Sequence, residues 1–157
     1  MKTLVVYYSR TGNTRKLAEM ISSALGAESE EIRDQSNRTG ILGYLRSGKE
    51  AVLGHTTPID ASDRDFTGFD VVIVGTPVWA SSVSSPVRTF LGKQPAKLSR
   101  VAFFCTMGGS GSGSTFRQME QICGRAPVAT MAASQREMSG TTLTQKVQEF
   151  VSRIKGH

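Results

Sequence analysis

A chain of 157 residues that is 38% hydrophobic and 7% aromatic has the size and composition of one globular domain spanning 1–157. The 19 basic and 13 acidic residues give a net charge of +6, but no run of five basic residues occurs and aromatics are not interleaved with Lys and Arg, which argues against a nucleic-acid partner. No apolar run reaches the roughly 20 residues of a membrane span, and Cys105 and Cys123 are too few for a disulfide framework or a metal cluster.

The segment Met1-Lys2-Thr3-Leu4 enters a strand pattern directly and has no small-residue cleavage site, so no signal peptide and a cytoplasmic location are expected. The two cysteines give no reason to expect a metal site. Thr3 to Tyr8 reads as a strand buried on both faces, as in a parallel sheet. Leu17, Ala18, Ile21 and Leu25 then recur at helical spacing. Between them, Ser9, Thr11, Asn13 and Thr14 surround Gly12. Such a turn can serve only as a helix cap. Four hydroxyl or amide side chains around a glycine, before the positive end of a helix dipole, also make an anion cradle.

Gly26 is placed to end the first helix. Ala27 to Arg33 reads as a short strand, and Glu28, Glu30 and Glu31 assign it to a sheet edge, where charges are tolerated. Asp34 to Asp65 is long for a strand–helix–strand link and carries helical spacing in Ile41, Leu42, Leu45, Ala51, Val52 and Leu53. Its Arg38, Arg46 and Lys49 form either a solvated face or a basic rim to a site.

Asp70 to Gly75 is a second buried strand, followed by Thr76, Pro77, Val78, Trp79 and Ala80. Ser85-Pro86 predicts a helix with Ser as N-cap and Pro in the first helical position. Val101 to Thr106 is a third buried strand, and Met107, Gly108, Gly109, Ser110 and Gly111 open a Gly/Ser run before a helix expected over Thr115 to Cys123. Pro127 to Ala132 is expected to be the last strand, and a closing helix carries Leu143, Val147, Phe150, Val151 and Ile154. Five strand–helix alternations imply an α/β fold, a three-layer sandwich around a five-stranded parallel sheet. Polar loops after three of those strands gather at one sheet edge.

The aliphatic pair Val5-Val6, Tyr7, Ser9, Gly12-Asn13-Thr14, Ala18 and Ile21 together resemble the fingerprint of the flavodoxin family. The resemblance covers the whole length, most firmly Val5–Ile21, Gly75–Pro86 and Val101–Gly113. It implies strand order 2-1-3-4-5 and a non-covalently bound FMN. It assigns the FMN phosphate to Ser9, Arg10, Thr11, Gly12, Asn13 and Thr14. The isoalloxazine ring falls to Thr76, Pro77, Val78, Trp79 and Ala80, with the aromatic at Trp79 available for stacking. Thr106, Met107, Gly108, Gly109, Ser110 and Gly111 would close over the pyrimidine and dimethylbenzene sides.

Three departures from that family bear on function. Arg10 replaces a small or polar residue and either helps hold the phosphate or turns outward. The third loop lacks the tyrosine that covers the outer ring face in many carriers of the family. The loops carry almost no acid in a basic chain, which implies a less negative potential for a bound flavin than in acidic carriers. The first functional reading is electron transfer through FMN to a protein partner. The second is an NAD(P)H- or quinone-dependent FMN oxidoreductase at the same site. No catalytic acid or base stands out, and flavin chemistry requires none. A phosphoacceptor receiver would need acids after the first strand, where Ser9 and Arg10 stand, and a low-molecular-weight phosphatase would need a Cys there. A flavin-free binding protein of the same fold remains a third class.

Overall fold

The computed structural model describes residues 1–36, 40–57, 59–60, 64–93 and 97–157. Its elements in chain order are β1 (Thr3–Tyr7), α1 (Asn13–Leu25), β2 (Glu28–Glu31), β3 (Arg33–Asp34), α2 (Gly40–Val52), β4 (Ile59–Asp60), β5 (Val71–Trp79), β6 (Ser82–Val83), α3 (Ser85–Lys93), β7 (Val101–Met107), α4 (Ser112–Cys123), β8 (Thr130–Ser134) and α5 (Thr141–Lys155). A short 3-10 turn, Gln135–Met138, joins β8 to α5.

Alternation along the strands divides the core into two layers of side chains. Leu4, Val6, Val72, Val74 and Phe103 pack with Phe90 and Leu91 of α3 and Met119 of α4. Val5, Tyr7, Ile73 and Phe104 face the other way, against Leu17, Ala18 and Ile21 of α1 and Phe150 and Ile154 of α5. Strands buried on both faces therefore lie between two helical layers, which is why their sequences are continuously apolar. The parallel strands run β2-β1-β5-β7-β8. Numbered without the three short strands, this is the expected order 2-1-3-4-5.

Strand β2 lies at the sheet edge, as its glutamates imply, and is clipped by ion pairs. Arg15 meets Glu31 at 2.7 Å, and Arg64 holds Glu28 and lies 3.7 Å from Glu30. The long link contains the expected helix, α2, and the small sheet in which β3 and β4 pair antiparallel. Within it Arg46 pairs with Glu50 at 2.6 Å and Lys49 is exposed. Arg38, with the turn at 37–39, and Pro58 lie outside the described residues.

Five boundaries differ from the sequence-based expectation. The strand expected over Ala27 to Arg33 ends at Glu31 as β2, and Arg33 opens β3 in the second sheet. Strand β5 continues past Gly75 to Trp79 because β6 folds back on it, with Val78 opposite Val83 and Trp79 opposite Ser82. Helix α4 starts at Ser112 rather than Thr115, with Gly111 as its N-cap. Strand β8 is shifted toward the C-terminus, pairing Phe103 with Thr130 and Met107 with Ser134. Helix α3 begins one residue early: Ser84 O accepts Arg88 N–H at 2.9 Å, so Ser84 rather than Ser85 takes the cap position.

Candidate functional site

The carboxyl ends of β1, β5 and β7 bring the three polar loops to one edge. In the first loop, Ser9 Oγ accepts Gly12 N–H at 3.1 Å, so the serine braces the turn from within. Gly12 has φ +101°, and a Cβ there would meet nothing within 4 Å. Its requirement for glycine is conformational, and the space around it is open. As N-cap of α1, Gly12 supplies no side-chain bond, and the first turn holds no acid. The leading N–H groups of a helix have no intrahelical partner, so this end presents donors and a positive dipole to the groove.

Thr14 is buried, and its hydroxyl meets that of Thr106 at 2.7 Å. That bond ties the first loop to the third across the end of β5. Thr76 is fully buried: its Oγ1 lies 2.8 Å from Pro77 O and 2.9 Å from Ser84 Oγ, and accepts Ser84 N–H at 3.2 Å. It holds the base of the β5–β6 hairpin and does not line the groove. The hairpin turn places Ala80 at φ +48° and Ser81 at φ +59°, the backbone sense of a two-residue turn matched to strand twist. The aromatic ring of Trp79 is largely buried and stands edge-on to Tyr8 at 5.6 Å, with planes at 89°.

The second and third loops touch at Gly111. A Cβ built there falls 2.8 Å from Ser81 Cα and 2.9 Å from Val78 Cγ1. Gln118 of α4 fastens the same region. Its Oε1 accepts Val83 N–H at 3.3 Å and Arg88 Nη2 at 3.0 Å, and its Nε2 donates to Ser82 and Ser114 hydroxyls, each at 3.2 Å.

One groove runs between these loops. Arg10, Thr11, Asn13 and Thr14 line one end; Pro77, Val78, Trp79, Thr106, Met107 and Gly108 line the rest. Arg10 is half-buried at this lining. Ser9 and Thr76 brace the loops and Gly12 shapes the first turn without lining the groove, Gly111 sets the loop contact, and Ala80 lines a neighbouring cavity. Gly109 and Ser110 are exposed beside the groove.

Gln135 joins the lining from the turn after β8, and sequence reasoning missed it because it ended that strand at Ala132. The available signal was the Ser134-x-x-Glu137 spacing of a capping box. Glu137 reaches back to the cap: its Oε2 accepts Ser134 N–H at 2.8 Å and the Ser134 hydroxyl at 3.0 Å. Lys146 lies 2.6 Å from Glu137, and with the Ser134 bonds it holds that carboxyl down to about 2. Lys16 Nζ donates to Met138 O at 2.7 Å, tying α1 to the same turn.

Burial pushes the Cys105 thiol up to about 12, so it is protonated and unreactive at neutral pH. Among the described residues no three His, Cys, Asp or Glu side chains stand together as metal ligands. The groove therefore offers neutral donors, the Arg10 guanidinium and a helix dipole at one end, and aromatic and backbone surfaces at the other.

None of the curated proteins matches the chain. A flavoprotein from Lactobacillus acidophilus, solved in complex with FMN, is similar at 25% identity and TM-score 0.74, covering 83% of this chain and 92% of that one. The two-electron-reduced flavodoxin of Megasphaera elsdenii shares the fold at 20% identity and TM-score 0.63, with 99% of each chain covered. The family model described as flavodoxin matches residues 2–154. With that match over nearly its whole length, and the parallel sheet and loop groove in place, the chain belongs to the flavodoxin family.

Proposed function

We propose that the groove binds FMN non-covalently and that the protein transfers electrons through it to a protein partner. The observation that carries this reading is the end of α1: an N-terminus without a side-chain cap or first-turn acid, beside Thr11 and Asn13, at the head of a groove walled by Trp79. When bound, FMN supplies reversible one- and two-electron chemistry.

The chain's own contribution is binding and orientation. The α1 N-terminus and the Thr11 and Asn13 side chains receive the phosphate as neutral donors, a set that suits a dianion. Arg10 adds a formal positive charge at the same end. Thr14 and Thr106, bonded to each other, fix the spacing between the phosphate loop and the third loop. Trp79, braced by Tyr8, and Pro77 and Val78 give an apolar wall for a planar ring. Two buried, unpaired cysteines support a reducing compartment, the cytoplasm.

The second reading, an oxidoreductase taking a nicotinamide or a quinone at the same site, is favoured by one feature of the third loop. Gly108 and Gly109 have open space where side chains would stand, so beyond Met107 these two positions put no side chain over the groove.

Purified protein is expected to be yellow and to release FMN on acid treatment. Thr11→Val should weaken FMN binding by about tenfold to a hundredfold, the scale of one hydrogen bond to a charged group, and leave riboflavin binding unchanged. A colourless protein that does not quench added FMN refutes the cofactor assignment. Rapid steady-state oxidation of NAD(P)H with a quinone would replace the carrier reading by the oxidoreductase one.

A further inference from the structure

Trp79 and Val78 wall a second cavity, of about 530 Å³, between α2 and the β5–β6 hairpin. Helix α2 reaches the hairpin with a face of small residues: Gly43, Ser47 and Ala51 are buried, and Ser47 Oγ donates back to Gly43 O at 2.7 Å. Its other face carries Leu42, Leu45 and Lys49, at spacings of three and four, with Leu53 four residues on. Leu45 and Leu53 line the cavity, yet folding leaves them 61% and 55% exposed.

Single exposed leucines are ordinary. Here they form the mouth of a concavity whose volume falls within the range of small-molecule sites, about 300–1,000 Å³. Lys49 is the one charged residue among the described lining.

We propose that this cavity is a separate binding site for a planar, apolar molecule with carbonyl oxygens, of the naphthoquinone class. The leucines and Val78 match the apolar body, the Trp79 indole matches a flat ring, and the Lys49 ammonium matches a carbonyl acceptor. Trp79 is common to this cavity and to the groove. Use of the bound molecule as an electron acceptor rests on the FMN reading above; its binding does not.

The test uses the full chain as purified, titrated with 2-methyl-1,4-naphthoquinone by equilibrium dialysis, with the fluorescence of the single tryptophan as a second readout. One equivalent is expected to bind saturably and to quench Trp79. Leu45→Glu and Leu53→Glu, which change exposed positions, should each weaken binding at least about tenfold by placing a charge against the apolar body. Lys49→Met should weaken it about threefold, as befits an exposed donor. FMN content should be unchanged in all three variants.

No saturable binding, or binding indifferent to these substitutions, overturns the proposal. So does one-for-one displacement by free FMN, or loss of FMN from Leu53→Glu, since the probe would then share the flavin's own site. A dimer that Leu45→Glu converts to monomer would give this face to a second copy and overturn it likewise. Quinone binding by a protein that takes up no FMN would leave this site standing and remove the proposed function instead.

Discussion

Gly75 lies opposite Phe104 in the β5–β7 register, and a Cβ on it would fall 2.0 Å from the ring's Cζ. No rotation of a buried phenyl ring relieves such an overlap, so the glycine is a packing requirement of the sheet. Gly111 combines two requirements, φ +101° and a Cβ position within 3 Å of Ser81 and Val78. Gly12 shares the φ but has free space. These differences predict separable effects in urea unfolding. Gly12→Ala should cost about 1–2 kcal/mol, the strain of a left-handed residue. Gly111→Ala should cost roughly 2–4 kcal/mol, since overpacking adds to that strain. Equal losses would show that the contact at Gly111 is relaxed in solution.

At the scale of elements, the hairpin bearing Trp79 is held from outside itself. Its turn residues Ala80 and Ser81 sit at positive φ without being glycine, each disfavoured by about 1 kcal/mol. Gln118 compensates by satisfying Val83 N–H and the Ser82 hydroxyl from α4. Gln118→Ala should therefore destabilise the protein by about 1–3 kcal/mol. It should also speed amide exchange in Ser82 and Val83 before any other strand. A uniform rise in exchange would mean that Gln118 contributes only to global stability.

The 3-10 turn that delivers Gln135 to the groove depends on Glu137 as a carboxylate. Its folded value, about 2, lies below the ordinary 4.5. The stabilisation is therefore present above about pH 4.5 and is lost as pH falls toward 2. Glu137→Gln should flatten this part of the profile, with the urea midpoints of variant and parent converging as pH drops from 5 to 2.5. Constant separation across that range would show that the carboxylate charge is not what the turn uses.

Over the whole molecule, the sheet carries the loops and the loops carry the site. A doubly wound parallel sheet directs the ends of β1, β5 and β7 to one edge whatever lies between them in sequence. The buried strands were legible because unbroken apolar runs and helical spacing are local quantities; their order followed only from the resemblance to the flavodoxin family. Leu4 to Tyr8, Val71 to Val74 and Val101 to Cys105 each announce a strand covered on both faces. The polar turn from Ser9 to Thr14 was legible for the same reason, since a helix start is written within a few residues.

What the tertiary structure alone decided are features whose partners are distant in the chain. Thr14 is turned down to Thr106, 92 residues away, rather than standing free as a donor. Trp79 belongs to a strand because Ser82 and Val83 pair back onto it and Gln118 fastens them. Gln135 enters the groove because β8 takes its register from β7 and ends at Ser134 rather than Ala132. The cavity beside α2 exists because Gly43, Ser47 and Ala51 seat that helix and leave Leu45 and Leu53 uncovered. Apolar period and turn chemistry determine which segments become strands and helices. Register, hairpin closure and helix seating depend on side-chain fit between segments, and only the folded chain brings those segments together.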